Sequence, residues 1–544
     1  MTGAGQRGGR WGVAATVLTV VGLIVVLVGS AWVREPGFSQ GGFASHDVAG
    51  ILYNAMVLEH GGLPYVDTLE LKAPGSFYLA KWFAGPEARD ISRFQVAANL
   101  WALLALACVA GLAWRLWGRL GAVMGAGLYA LHDAHLDSMD ANYVTWANLP
   151  QIASFWAGIE ALRVRSERWR PSAWMLAGAL AGFAALCKRP DGIVLVPLLI
   201  MAFVGDGGES LARAKVSRGD GWARVLERAG DPAWVLLGFG LAHLPIVAQY
   251  VAAGEFRALF EGYFVSRWGL RYLGAREAGL AASAWEGALA LAHFVGLALV
   301  LAAFSCVRGV AERVANWRAG VSAQSDQRLR ELGFVCAWLL AMLVAASLGF
   351  RFYKGYFLAV AAPMCVLAAA PCGLLGRRCT AHWVPRSLAL ALCSVLVVRA
   401  LLMLDHVRHD RAQPHDLGGR RIAKHLLDHT EPDDRIWMWG WHLWDVYPLT
   451  GRMSGSRIYK SLGILSQPND DTWRRPASPL RFVESEYSRQ LIADLEASRP
   501  AYVVLGSTVP HREFKQLHAF LDAHYRRDRR VRIGRVQLWK RRNL

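Results

Sequence analysis

Asp47 and Lys72 share one polar stretch between two long apolar runs. A carboxylate can take a proton from a hydroxyl, and an ammonium can neutralise a phosphate. Each also has a plainer reading. Asp47 suits the first turn of a helix, where an acid complements the dipole. Lys72 suits a side chain whose stem lies along lipid while its head stays in water. Further cations recur at Lys188-Arg189 and at Arg351 and Lys354, each in a segment too short to be a domain. A phosphate or pyrophosphate needs such a cluster, because cations form charge-assisted bonds to its oxygens. A third group holds Asp133, Asp137 and Asp140 with His132 and His135. These carboxylates either bind a divalent metal or form a solvated loop, and their spacing matches no strict metal motif. Asp137 or Asp140 is also placed to help Asp47 orient a hydroxyl.

The elements that must position these groups are membrane helices. The chain has 544 residues, 54% hydrophobic and only 19% charged. Residues 11–33 carry no charge, enough to cross a hydrocarbon core of ~30 Å. Further spans are expected at 95–117, 120–132, 146–162, 172–187, 191–204, 233–252, 285–307, 331–349, 355–375 and 387–404, about eleven in all. Only helices or closed barrels satisfy the backbone in lipid, and the period-two alternation of a barrel is missing. Arg7 and Arg10 precede the first span, whose apolar run is too long for a signal peptide, so it reads as an uncleaved anchor.

The net charge of +18 sits largely in alternate loops, for example at Arg115, Arg119, Arg163, Arg165 and Arg308. That is the positive-inside pattern, not a nucleic-acid patch. It places the N-terminus in the cytoplasm and, after an odd number of spans, residues 405–544 outside an inner or plasma membrane. Against that bias Lys72, Lys188-Arg189, Arg351 and Lys354 all fall on the outer side. The eight cysteines lie in or beside the spans, so the outer segments hold no disulfide framework and no CxxC metal site.

Residues 1–404 thus form a polytopic helical unit whose first exterior loop, 34–94, is too long for a connector. Ser45 and Asp47 start a helix that Gly61-Gly62 stops, and Pro74 favours a second start through Phe77. The loop reads as two short helices lying on the membrane, joined by a turn with Tyr65, Asp67, Glu70 and Lys72. Phe256, Phe260, Phe264, Trp268 and Tyr272, interleaved with Arg257, Arg267, Arg271 and Arg276, read as an interfacial anchor or a groove for a polyprenyl chain. Residues 405–544 read as a small α/β domain of three or four strands, with helices near 417–429, 481–498 and 511–524 and strands near 435–439, 501–505 and 531–539. Its tryptophans 437, 439, 441 and 444 suit a core or docking surface, or stacking on a sugar.

In their order these residues resemble the C-type membrane glycosyltransferases, the superfamily of glycosyltransferase family 39, protein O-mannosyltransferases and aminoarabinose transferases. The first-loop aspartate is matched by Asp47. A glycine, Pro-Tyr, aspartate and Lys-Pro-Pro-like turn is matched by Gly62, Pro64-Tyr65, Asp67 and Lys72-Ala73-Pro74. Residues 181–188, ending in Lys188, and residues 351–358 resemble two later motifs. Gly355 stands where a histidine is common, and Tyr143-Val144 follows Asn142 where many relatives have Asn-x-Glu. The resemblance implies an inverting transfer from a polyprenyl-phosphate sugar to a hydroxyl of a lipid, glycan or protein on the outer face. Asp47 would be the base, Lys72, Lys188, Arg189, Arg351 and Lys354 would meet the donor phosphate, and Tyr65 and Asp67 would shape the substrate loop. Some relatives use a metal and others do not. Two readings compete: a transporter or flippase for an amphipathic lipid-linked substrate, and a family member that has lost catalysis.

Overall fold

The computed structural model describes residues 4–39, 45–204, 221–266, 279–318, 327–371, 386–413, 416–440, 443–460, 463–467, 470–476, 478–530 and 533–542. Arg267, Trp268, Arg271, Tyr272, Arg276, Cys372, Cys379 and Trp441 lie outside them. A helix occurs over or within each expected span. Among the described residues, five helical stretches are long and apolar enough to cross a membrane: Val13–Val33, Ile91–Leu136, Gly230–Ala252, Leu280–Ala311 and Leu329–Ser347. They expose leucine and valine outward, Leu18, Val25, Leu104 and Leu340 among them. An apolar surface of that extent is what lipid covers.

The spans expected at 95–117 and 120–132 are one continuous element, Ile91–Asp133, broken only at Gly118, whose φ is 79°. Without a Cβ, glycine takes that angle at no steric cost, so the break needs no loop. Asp90 caps the start of this element by accepting from the Arg93 amide at 2.9 Å. Asn142 caps the next helix, Tyr143–Ala161, through the Tyr143 amide at 2.7 Å.

The first long loop carries the two expected helices, His46–Glu59 and Gly75–Phe83. Gly61, with φ 79°, turns the chain away as the Gly62 amide reaches back to the Val57 carbonyl at 2.9 Å. The burial differs from expectation. An interfacial helix would bury one face, yet every residue from Val48 to Leu58 is buried. The C-terminal region closes over the face that would have met lipid headgroups. Tyr53 packs against Tyr447 and Tyr459 with ring centroids 4.7 and 4.4 Å apart, and His46 meets Trp444 edge-on at 5.7 Å.

That C-terminal region is built on a four-stranded sheet in the order β1-β2-β4-β3. The strands are β1 (Ile436–Trp439), β2 (Tyr502–Leu505), β3 (Tyr525–Asp528) and β4 (Gln537–Arg541). The parallel pair β1 and β2 is joined through the helix Glu486–Ser498, which starts in a capping box at Ser485. β4 pairs antiparallel with both β2 and β3. Trp437 and Trp439 are wholly buried in a core with Leu491, Phe514 and Leu521, which leaves them no face for a sugar. Trp444 is spent on His46.

Candidate functional site

Asp47 stands in the first turn of the His46–Glu59 helix, and its carboxylate lies 3.5 Å from the Lys72 ammonium. Both side chains keep an open side, with 37% and 41% of their surface exposed. Burial of its surroundings would raise the Asp47 pKa, but Lys72, then Lys460 and His46, outweigh it and hold the carboxyl below its ordinary value. Asp47 is therefore an anion at neutral pH.

Lys72 is held at both ends of its backbone. Its amide donates to Glu70 Oε1 at 3.1 Å, and its carbonyl accepts from the Tyr65 hydroxyl at 2.6 Å. Its ammonium lies 5.0 Å from the centre of the Tyr143 ring. Tyr65 adopts φ 68°, an angle a tyrosine takes only when its surroundings impose it. The Tyr250 hydroxyl supplies part of that constraint by donating to the Pro64 carbonyl at 2.5 Å. Asp67 accepts from the Leu63 amide at 2.7 Å and closes the same turn. Tyr65 and Asp67 thus build the loop by bonding to its own backbone.

Residues 71–76 lie against the end of the helix Arg170–Cys187. A Cβ on Gly75 would sit 2.7 Å from the Leu186 carbonyl oxygen, so only glycine permits this approach. Arg189 ties the two segments together by donating to the Leu71 carbonyl and, at 3.0 Å, to the Tyr263 carbonyl. Lys188 pairs with Asp191 at 3.0 Å and lies 5.3 Å from the Tyr356 ring centre. Two residues before that tyrosine, Lys354 pairs with Asp137 at 2.9 Å. Its ammonium is held above the usual range, first by the Asp137 charge, while burial pushes Asp137 up despite Lys354. Gly355 leaves room for this pair: a Cβ there would sit 2.8 Å from Asp137 Oδ2.

Contacts therefore run from Asp47 through Lys72 to Tyr143 and from Leu71 to Arg189, while the neighbouring Lys188 faces the Tyr356 ring, two residues after the Lys354 that pairs with Asp137. The Tyr143 hydroxyl is buried beside them and has no hydrogen-bond partner among the described residues. An open groove of about 450 Å³ lined by Pro86, Glu87, Arg89, Asp90, Pro448 and Leu449 contains none of these groups.

Two of the sequence expectations need correction. Arg351 is only 2% exposed and donates to the Asp471 carbonyl at 2.9 Å and carboxylate at 3.1 Å, so its charge anchors the C-terminal chain instead of facing a ligand. Asp140 is also buried, accepting from Gln95 at 3.0 Å with Arg411 3.5 Å away, so its carboxylate is occupied by protein partners. The acids of this segment also part company. Asp133 faces Arg34 at 2.5 Å, Asp137 faces Lys354 and Asp140 faces Arg411. A divalent ion needs oxygens converging on one point, and no group of three candidate ligands converges among the described residues. The segment does not fit a metal.

Two further residues belong to this site: Glu70, which the sequence places in the turn without a role of its own, and Lys460, which the sequence does not single out. Glu70, 2% exposed, accepts from Lys460 at 2.5 and 2.6 Å, and Lys460 is 6% exposed. Burial would raise the Glu70 pKa, but Lys460 outweighs it and holds the carboxyl low.

Residues 72–218 match the model of the dolichyl-phosphate-mannose-protein mannosyltransferase family. The fold is similar to that of ArnT from Cupriavidus metallidurans in the apo state, at 13% identity, 98% of each chain covered and a TM-score of 0.53. It is similar to ArnT bound to undecaprenyl phosphate, at 13% identity over 97% of this chain and 98% of that one, TM-score 0.51. It is also similar to the oligosaccharyltransferase AglB from Archaeoglobus fulgidus, solved with an inhibitory peptide and a dolichol-phosphate. There the identity is 12% over 94% of this chain and 73% of that one, TM-score 0.51. No curated protein matches the sequence. At these identities the likeness to ArnT and AglB is one of fold.

Proposed function

We propose that this protein is a membrane glycosyltransferase that moves a sugar from a polyprenyl phosphate to a hydroxyl acceptor. The observation that carries the reading is the half-open Asp47–Lys72 pair on a loop that Arg189 holds through the Leu71 carbonyl, with Lys188 following the same helix end and Lys354 two residues from the Tyr356 ring that Lys188 faces. The family match that begins at Lys72 and the polyprenyl-phosphate complexes of the similar folds support it.

In the reaction the acceptor hydroxyl oxygen attacks the anomeric carbon on the side opposite the phosphate. The new carbon–oxygen bond forms as the bond from that carbon to the phosphate oxygen breaks, which inverts the configuration. Asp47 takes the hydroxyl proton, and the polyprenyl phosphate leaves with the electron pair. Lys72 and Lys354, the more open cations, meet the charge growing on the departing phosphate. Both are paired with carboxylates, so they stay charged and oriented before the donor arrives. Lys188 stands behind them, and Arg189 fixes the strap that carries Lys72.

About eleven crossings, a cytoplasmic N-terminus and a catalytic face on the outer side complete the proposal, supported by the arginine-rich alternate loops. The test is the purified protein in bilayers, given a panel of labelled undecaprenyl- and dolichyl-phosphate sugars with membrane extracts as acceptors. Label should pass to an acceptor, with inverted anomeric configuration. Movement of the lipid across the bilayer without sugar transfer would overturn the enzyme reading in favour of a flippase.

A further inference from the structure

The Glu70 carboxylate joins its own loop to a helix residue 16 positions earlier and to the C-terminal region 390 positions away. Besides Lys460 it accepts from the Tyr459 hydroxyl at 2.6 Å, from Asn54 Nδ2 at 2.9 Å, and from the Leu71 and Lys72 amides at 2.6 and 3.1 Å. Asn54 belongs to the helix that carries Asp47, and Tyr459 and Lys460 come from the C-terminal region. Gly50 opens the helix face toward them: a Cβ there would lie 3.2 Å from the Tyr459 hydroxyl and 3.7 Å from the Lys460 ammonium. A buried ion pair gains little net stability over well-packed apolar side chains, so stability alone is a poor reason to build one here.

We propose that Lys460 is a positioning residue for sugar transfer, by which the C-terminal region sets the place of Lys72 through Glu70 and places a second positive charge behind Asp47. This rests on the reading of Asp47 as the base. The charged and titratable groups facing Asp47 are Lys72 from the loop, Lys460 from the C-terminal region, His46 from its own helix and, farther off, the Tyr143 hydroxyl. Lys460 is the one of these that is buried against a carboxylate, at 2.5 and 2.6 Å from Glu70.

The experiment compares full-length wild type with Lys460→Met, Lys460→Arg and the double variant Glu70→Gln/Lys460→Met. The last removes both charges, so no buried charge is left unpaired if the single variant fails to fold. Turnover, donor KM, the acid limb of the pH–rate profile and binding of undecaprenyl phosphate are measured on folded protein. Loss of one cation near Asp47 should raise the acid limb by about one pH unit in Lys460→Met, whereas the double variant, which also loses the Glu70 charge, should move it less. Turnover should fall by about tenfold or more and undecaprenyl phosphate should bind more weakly, whereas Lys460→Arg should keep the wild-type acid limb. A double variant with wild-type turnover, or a folded Lys460→Met protein with an unmoved acid limb, would overturn the proposal and leave the pair a structural plug. The two readings fail separately. An active Asp47→Asn variant overturns the base, whereas an inactive one beside wild-type turnover in the double variant or an unmoved acid limb in Lys460→Met overturns this inference.

Discussion

Replacing Asp47 by asparagine keeps the shape of the side chain and removes its charge, and on the proposed reading that change has two effects of opposite sign. Turnover should fall by about 10²–10⁴-fold, the usual contribution of a general base. Donor binding should move the other way, because Asp47 lies 3.5 Å from the Lys72 ammonium and offsets part of its charge. At an effective dielectric constant of about 20, two charges at that distance interact by about 4–5 kcal/mol. Both side chains are more than a third exposed, so solvent screening reduces the usable part to about 0.5–1 kcal/mol. Freed of its partner, Lys72 should bind the donor phosphate about 2–5-fold more tightly. The assay is steady-state transfer from a labelled donor by purified enzyme in nanodiscs, with undecaprenyl phosphate binding and thermal unfolding measured in parallel. A folded Asp47→Asn protein within tenfold of wild-type turnover would refute the base assignment. Weaker donor binding would refute the electrostatic coupling to Lys72.

Asp47 is held below its ordinary pKa, so the reactive anion persists as the pH falls, and activity should be lost only below about pH 4. An acid limb between pH 5 and 7 would show that another group titrates. Glu70 is also lowered on folding: its stabilisation is complete above its unfolded pKa of ~4.3 and fades as the pH drops through the folded value. Thermal unfolding of the intact protein should show that loss below about pH 4. Gly75→Ala should push residues 71–76 off the Leu186 carbonyl, costing about 1–3 kcal/mol in stability and weakening undecaprenyl phosphate binding. Unchanged binding would mean that this approach does not place Lys72. Arg34→Met should leave the buried Asp133 unpaired and cost about 3–5 kcal/mol, and adding Asp133→Leu should recover much of it. A single variant that melts like wild type would contradict the pairing.

Local chemistry made much of this protein legible in advance. Apolar runs marked the helices, because lipid tolerates no unsatisfied backbone. Gly61 marked the end of the His46–Glu59 helix, and Pro74 the start of the next. In the C-terminal region the helices at Leu417–Leu427, Glu486–Ser498 and Lys515–His524 fall close to their expected places, as do β1 and β2. The final strand begins later than expected, and β3 takes up the chain where the helix before it ends.

The site divides along the same line. Residue type and order picked out Asp47, Lys72, Lys188, Arg189 and Lys354 as charges placed against the surrounding pattern, and Arg351 looked no different from them. Only packing separated them. Arg351 is buried on Asp471, Asp140 on Gln95 and Arg411, while Lys72 and Lys354 keep an open side. Glu70 and Lys460 are 390 residues apart, and neither has a local pattern that names the other. A charge in an apolar context tells the reader that a partner is needed, because desolvation is costly. Whether the partner is a carboxylate across the fold or a ligand from outside depends on which distant surfaces meet, and that the tertiary structure alone decided.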